Sequence, residues 1–197
     1  MKKVRRKIFV VFLVLMSLLL GYSSSFAYVI WFSGGFGPVP TMVHSYSGFS
    51  DQSKVSVSNA CAQWNSVGVG NLVYDGSYHS TTTWPVNNGK NEITKNYNGV
   101  NRTLASCRLV ETEYVGGILY SASEADIDLN ISHPLGNSGS SSTYDVGCLV
   151  THEIGHLLGL DHSADTTATM VSGLSKGDVY KRSIESDDKN GIKAIYN

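Results

Sequence analysis

The chain has 197 residues, a length that allows one domain together with a targeting segment. It carries 15 basic and 16 acidic side chains, and no basic stripe interleaved with aromatic residues occurs along it. Nucleic acid is therefore excluded as a partner, because binding to its phosphates needs a basic surface.

The first 27 residues predict a cleavable secretory signal peptide. A basic start is followed by an apolar run over residues 8–20 and by Ser25-Phe26-Ala27, which places small residues where a signal peptidase reads them. The alternative is an uncleaved membrane anchor, but the run is shorter than the roughly 20 residues that a span requires. Cleavage would remove five basic side chains and change the net charge from −1 to −6. We therefore expect residues 28–197 to form one secreted, extracellular domain without affinity for an anionic membrane.

The rest of the chain predicts an α+β domain, with strands first and helices around them. A first strand is predicted over residues 42–46, and the helix after it is capped by Ser50 or Asp51 and ends near Val67. Further strands are predicted over residues 104–111, 117–123 and 125–131, and helices over residues 144–159 and 186–196. Residues 68–100 and 136–143 are rich in small and polar residues, which indicates loops with short strands at most.

The segment from His152 to His162 predicts a metal site. Helix positions four apart share a face, so His152 and His156 can direct their imidazoles at one ion, and Glu153 lies beside that face. Gly159 can adopt a left-handed conformation that ends the helix, after which His162 can approach the same ion. Three protein nitrogens with an open fourth position are typical of a catalytic zinc. In such a site Glu153 would act as the general base.

The alternative interpretation is a chance His-Glu-x-x-His pattern on an ordinary amphipathic helix. The glycine and the third histidine stand at the spacing of a longer zinc motif, which favours the metal site. The other histidines, His44, His79 and His133, stand alone and are interpreted as surface or loop residues.

The stretch VTHEIGHLLGLDHS resembles the zinc motif of the metzincin metalloproteases, and among them that of the matrixins, especially compact bacterial matrixin-type proteases. Met170, eight residues beyond His162, resembles the Met-turn, a loop that places a methionine beneath the zinc site. The alternative for Met170 is an ordinary core methionine. The resemblance is strongest over residues 145–197 and extends to residues 104–131, where EADIDLN resembles the strand before the active-site helix.

This resemblance implies a matrixin-like catalytic domain with a small twisted mixed sheet, a backing helix, an active-site helix and a C-terminal helix. It also implies a zinc metalloendopeptidase that cleaves protein or peptide substrates and holds one catalytic Zn²⁺ on the three histidines of the motif. We expect a monomer. Ca²⁺ is a second candidate cation, because Asp126, Asp128 and Asp145 offer carboxylates. The alternative is that these three carboxylates are solvated or cap helices.

The sequence departs from the matrixin pattern in three respects. Matrixins usually carry a propeptide whose cysteine caps the zinc, and no such segment is recognisable between Ala27 and the catalytic domain. After the Met-turn they usually have a Tyr-Pro pair, where this chain has Val171-Ser172-Gly173. The loop that binds a second, structural zinc in animal matrixins is not recognisable, so one zinc is expected.

The loop after Met170 is the expected source of substrate selectivity. It leads back to the last helix, past the place where the side chain after the cut bond would enter. Val171, Leu174, Val179 and Tyr180 are its apolar candidates, whereas Lys181 is expected to face water. We therefore expect a preference for an apolar residue after the scissile bond. The alternative is a loop that only connects two helices.

Two other functions are alternatives to the peptidase: a matrixin-like zinc-binding module without proteolytic activity, and a zinc hydrolase that acts on another acyl bond. The intact motif favours the peptidase over both.

The three cysteines allow at most one intramolecular disulfide. If one is present, we expect it to join Cys107 and Cys148, because a strand and the active-site helix should bring them together. Cys61 would then be a buried free thiol.

Overall fold

The computed structural model describes residues 27–197, so the predicted signal peptide lies outside the described residues except for Ala27. In this part of the chain, no helix has the length and apolar character needed to cross a membrane. The strands in chain order are β1 (Val29–Ile30), β2 (Thr41–Ser45), β3 (Val73–Asp75), β4 (Asn91–Asn96), β5 (Ala105–Val115), β6 (Ile118–Asn130), β7 (Leu135–Gly136), β8 (Tyr144–Asp145) and β9 (Leu160–Asp161). The helices are α1 (Asp51–Asn65), α2 (Val146–Leu157) and α3 (Ser186–Tyr196), with a 3₁₀ turn over Tyr180–Arg182.

A five-stranded mixed sheet forms the frame that carries the site. Its order is β3-β2-β4-β6-β5, in which the first four strands are parallel and β5 is antiparallel to β6. Strand β5 is therefore an edge of this sheet. The two strands predicted over residues 117–123 and 125–131 are one continuous strand, β6, because Glu124 pairs with Glu111 across a register shift instead of ending the strand.

Strand β4 is not evident from its sequence, NEITKN, because the segment is polar. Two of its polar side chains, Asn91 and Thr94, are nevertheless buried and hydrogen-bonded inside the sheet. Asn91 Nδ2 donates to Thr41 Oγ1 at 2.8 Å, and Thr94 Oγ1 donates to Asp128 Oδ1 at 2.8 Å. These hydrogen bonds offset the cost of burying the polar groups.

Helix α1 backs the sheet, as predicted. Ser50 is its N-cap, and the Ser50 hydroxyl accepts a hydrogen bond from the N–H of Ser53 at 3.2 Å. Trp64 is fully buried near its end, and Trp64 Nε1 donates to the carbonyl oxygen of Thr151 at 2.9 Å. Because Thr151 directly precedes the first histidine of the motif, this bond joins α1 to α2 beside the site.

Helix α2, the active-site helix, is buried along almost its whole length. Asp145 is its N-cap, and Asp145 Oδ1 accepts a hydrogen bond from the N–H of Cys148 at 3.1 Å. Gly159 lies just beyond its end with φ +108°, a conformation that residues with a Cβ rarely adopt. The chain reverses there and continues into β9.

The core lies between the sheet and the helices. Ile127 and Leu129 of β6, Ile154 of α2 and Trp64 of α1 are among its fully buried side chains. Burial of one such large apolar side chain stabilises the fold by roughly 1.5–3 kcal/mol. The predicted α+β architecture, with a mixed sheet, a backing helix, an active-site helix and a C-terminal helix, is confirmed.

Candidate active site

Three histidine side chains converge where α2 ends. One ring nitrogen from each of His152, His156 and His162 belongs to a group of atoms that all lie within 4.8 Å of one another. The first two histidines are one helical turn apart on α2, and the third follows the reversal at Gly159. Among the described residues, this is the one group of three or more His, Cys, Asp or Glu side chains arranged to hold a metal ion.

Backbone carbonyls orient two of these rings. His152 Nδ1 lies 2.8 Å from the carbonyl oxygen of Thr169, and His156 Nδ1 lies 2.8 Å from that of Leu160. A carbonyl oxygen can only accept, so in each ring Nδ1 carries the hydrogen and Nε2 keeps a free lone pair. Such an outer hydrogen bond is typical of metal-bound histidine.

The ionisation of the histidines also fits a metal ion. Burial lowers the pKa of His152 well below its usual value, and burial lowers the pKa of His156 to about 4. Both rings are therefore neutral near pH 7, the form that binds a metal. Together with His162 they make a set of three imidazoles with one open position, which suits Zn²⁺.

Glu153 lies next to His152 on α2 and lines the same cavity. Its side chain is buried, and this burial raises the pKa of Glu153 to about 8. A hydrogen bond from the backbone of Cys107 and the positive charge of Lys181 both act in the opposite direction. A carboxylate in such a dry place is a stronger base than an exposed one.

Met170 lies beneath the active-site helix. It is 1% exposed, and a Cβ added at Gly155 of α2 would come within 2.3 Å of its Sδ atom. The N–H groups of Thr169 and Met170 donate to the two carboxylate oxygens of Asp188 on α3, at 2.8 and 3.0 Å. The loop that resembles the Met-turn is thus held by α3 from one side and contacts α2 on the other.

A cavity of about 560 Å³ opens beside the histidines and Glu153. Residues from the start of β5, from α2 and from the loop after Met170 line it, among them Leu104, Ala105, Cys107, Cys148, Leu149 and Leu174. Of the four apolar candidates on the loop, Leu174 is part of the lining, whereas Val171, Val179 and Tyr180 are not. Val171 contributes its carbonyl oxygen to a bond with Lys181, and Tyr180 is 41% exposed.

The prediction that Lys181 faces water is wrong. Its side chain is 2% exposed and lines the cavity, because the 3₁₀ turn over Tyr180–Arg182 directs it inward. The adjacent Arg182 forms the outer contact of this turn, a two-point ion pair with Asp145 at 2.9 and 2.5 Å. The residues from Asp178 to Ile184 mix charged and apolar side chains without a period, so the sequence gives no signal for the burial of Lys181.

The three carboxylates considered for Ca²⁺ are all buried and bound by donors of the protein. Asp126 accepts from the N–H groups of Val86 and Glu92, and Asp128 accepts from the side chains of Thr94, Asn96 and Asn98. Asp145 is the N-cap of α2 and the partner of Arg182. These bonds agree with the capping alternative for Asp145, while burial argues against solvation for all three.

All three cysteines are free thiols in this structure. Cys107 and Cys148 both line the cavity, and Cys61 is buried on α1. The pairing of Cys107 with Cys148 therefore stays a prediction.

The chain is similar in sequence to known proteins. The family model described as Matrixin matches residues 46–197. Human neutrophil collagenase is 37% identical over 59 residues, human matrilysin is 38% identical over 58 residues, and metalloendoproteinase 1 of Glycine max is 39% identical over 56 residues. These alignments cover 30%, 29% and 28% of this chain, and 13%, 22% and 18% of the respective relatives.

Proposed function

The chain belongs to the matrixin family, and on this premise we propose that it is a zinc-dependent metalloendopeptidase that hydrolyses peptide bonds in protein substrates. The observation that carries the proposal is the convergence of three imidazoles within 4.8 Å of one another, beside a buried glutamate and an open cavity. A site of this composition suits metal-assisted hydrolysis, in which a carbonyl is attacked by water.

In this proposal His152 and His156 would hold one zinc ion through their Nε2 atoms, and a ring nitrogen of His162 would be the third ligand. When bound, zinc supplies Lewis acidity, which lowers the pKa of a coordinated water to roughly 7 and polarises a carbonyl. The backbone carbonyls of Thr169 and Leu160 keep two of the rings in the required tautomer and orientation.

Glu153 is the proposed general base. Its buried carboxylate takes the proton from the attacking water, and the same carboxylic acid then donates the proton to the leaving amine. The backbone of Cys107, which hydrogen-bonds to Glu153, holds the carboxylate at the cavity wall. Met170 is proposed to act as the Met-turn, because it supports α2 from below between the first two histidines.

The substrate would bind in an extended form along the start of β5. Strand β5 is an edge of the five-stranded sheet, and its first residues line the cavity next to Glu153. An edge strand offers unpaired backbone groups to an extended peptide. The side chain after the cut bond would enter the cavity between Leu149 and Leu174, while Val171 and Tyr180 would support this loop from behind.

We propose further that residues 1–27 direct secretion and are then removed, which the basic, apolar and small-residue pattern supports. A monomer is supported by the fact that a single chain supplies every residue of the proposed site. Ca²⁺ is proposed only as a second cation after Zn²⁺, because donors of the protein already form hydrogen bonds to each of its three candidate carboxylates.

The test is Glu153→Gln in the purified chain from residue 28 onward. This change preserves shape but removes the base, so zinc content should stay the same while peptidase activity falls by roughly 10²–10⁴. Mass spectrometry of peptides released from denatured casein measures the activity, and metal analysis measures the zinc. A parent chain that holds zinc and releases no peptide would contradict the proposal and favour a binding module, whereas activity within about threefold of the parent would exclude Glu153 as the base.

A further inference from the structure

Lys181 is a buried cation in the wall of the cavity. Its side chain is 2% exposed, and it lines the cavity together with His152 and Glu153. Its Nζ atom donates to the carbonyl oxygen of Val171. Among the described residues, one more polar atom lies within hydrogen-bonding distance of Nζ, namely His152 Nδ1 at 3.5 Å. This nitrogen carries the hydrogen that it donates to the carbonyl oxygen of Thr169, so it cannot accept one from Lys181.

An ammonium group has three N–H bonds that can donate. Within residues 27–197, one of those of Lys181 has an acceptor, the carbonyl oxygen of Val171. The carboxylates near Lys181 have other partners. Asp188 accepts from three backbone N–H groups, and Asp178 accepts from the N–H of Ser175. Glu153 is the proposed base. Two donors of a buried cation are therefore left for a group that enters the cavity.

The surface of the cavity is largely apolar, and Leu104, Leu149 and Leu174 are among the residues that line it; Arg102 is a second cation in the lining. A wholly apolar side chain that filled this space would exclude water and leave the ammonium with unmet donors, which is costly in a buried place. A side chain with an apolar stem and an acceptor at its end would satisfy both the walls and the cation.

We propose that Lys181 makes this cavity select a substrate residue with a short apolar stem that ends in a hydrogen-bond acceptor, the carboxylate of glutamate first and the amide oxygen of glutamine second, directly after the scissile bond. The proposal rests on the proposed function, since it names the substrate class of the same site. It differs from the expected preference for an apolar residue, because that expectation placed Lys181 in water.

The position of Lys181 is fixed by its neighbour. Arg182 Nε lies 2.9 Å from Asp145 Oδ1, and Arg182 Nη2 lies 2.5 Å from Asp145 Oδ2. Asp145 is also the N-cap of α2. This two-point contact joins the 3₁₀ turn to the active-site helix, so the ammonium is held in place before a ligand enters, which reduces the entropic cost of binding.

The experiment uses three matched peptide hydroxamates, which bind zinc without being cleaved. They differ only in the side chain offered to the cavity: that of glutamate, glutamine or leucine. Calorimetry gives the Kd of each for the zinc-loaded parent chain. We expect the glutamate probe to bind about tenfold tighter than the leucine probe, with the glutamine probe between them, because hydrogen bonds to a buried charge are strong.

Lys181→Met keeps the length of the side chain and removes the charge, so the order of the probes should reverse. Lys181→Arg keeps a cation, so the glutamate probe should stay the tightest. Lys176→Met is the matched control on the same loop, since Lys176 lies over the ring of Tyr144 and does not line the cavity. It should leave all three Kd values unchanged.

A parent chain that prefers the leucine probe, or binds none of the probes, would overturn the proposal even if a variant failed to fold. A glutamate preference that survives Lys181→Met would overturn it as well. The probes report on the cavity whether or not the protein cleaves peptides. A failure of this proposal is therefore separate from a failure of the casein test with Glu153→Gln.

Discussion

The Nδ1 atom of His152 lies 2.8 Å from the carbonyl oxygen of Thr169, the residue before Met170. The N–H groups of Thr169 and Met170 in turn donate to Asp188, on the C-terminal helix. Helix α3 contributes no residue to the proposed metal site. It nevertheless positions the ligand His152, through the loop that carries Thr169 and Met170.

We predict that Asp188→Ala weakens zinc binding about 10–100-fold, the effect typical of losing an outer hydrogen-bond partner of a metal ligand. It also leaves the buried N–H groups of Thr169 and Met170 without an acceptor, at about 1–3 kcal/mol each, so the free energy of unfolding should fall by at least about 2 kcal/mol. Competition with a chelating dye and urea unfolding measure the two effects. Asp51→Ala, an exposed change in the first turn of α1, is the control. An unchanged zinc affinity in Asp188→Ala would show that the loop does not orient His152.

We predict that His156→Ala loses most of its zinc. The variant leaves two imidazoles, and two ligands do not complete the donor set of a stable zinc site. Metal analysis after dialysis against buffer measures the loss. His44→Ala is the control, because the His44 ring contacts Ser77 and lies outside the cluster. Full zinc occupancy in His156→Ala would refute the assignment of this ligand.

We predict that Gly155→Ala destabilises the protein, although alanine has the higher helix propensity. The added Cβ would lie 2.3 Å from Met170 Sδ and 2.7 Å from Trp64 Cζ2, so two buried side chains must move. Overpacking of a core costs about 1–3 kcal/mol, against a propensity gain of about 1 kcal/mol. Urea unfolding should therefore show a net loss of stability. Ser58→Ala, an exposed change on α1, should stay within about 0.5 kcal/mol of the parent. Greater stability in Gly155→Ala would mean that Met170 is not tightly packed under α2.

Local spacing explains which parts of this structure the sequence predicts. His152 and His156 are one helical turn apart, and Gly159 ends the helix close to its predicted position, because these features depend on neighbouring residues. The capping box of Glu185 and Asp188 likewise marks the start of the last helix. The pattern of the sequence therefore predicts α2, α3 and the convergence of the three histidines.

Features that depend on distant contacts were not predicted. The burial of Lys181 follows from how the 3₁₀ turn packs on α2, and the role of Asp188 follows from its contact with the loop around Met170. Strand β4 is hidden by its polar residues, since Asn91 and Thr94 are buried only because partners on β2 and β6 satisfy them. The spacing of residues within one segment carries no information about partners on other strands.

The ion pair between Arg182 and Asp145 should stabilise the fold to an extent that depends on pH. Burial alone would raise the pKa of Asp145, but hydrogen bonds from Arg182 and from the N–H of Cys148 outweigh burial and lower the pKa below its usual value. A carboxyl group whose pKa is lower in the folded state stabilises the fold above its unfolded pKa, and this stability is lost as the pH falls through the folded value.

Because Arg182 is partly exposed, Arg182→Met should reduce the free energy of unfolding at pH 7 by about 1–3 kcal/mol, less than for a fully buried pair. The difference between parent and variant should shrink below about pH 4, where protonation of Asp145 weakens the pair in the parent as well. Urea unfolding of both proteins between pH 7 and pH 3 measures this, with Arg108→Met, an exposed change on β5, as the control. A difference between parent and Arg182→Met that stays constant over this range would show that the contact stabilises the fold by packing and not by charge.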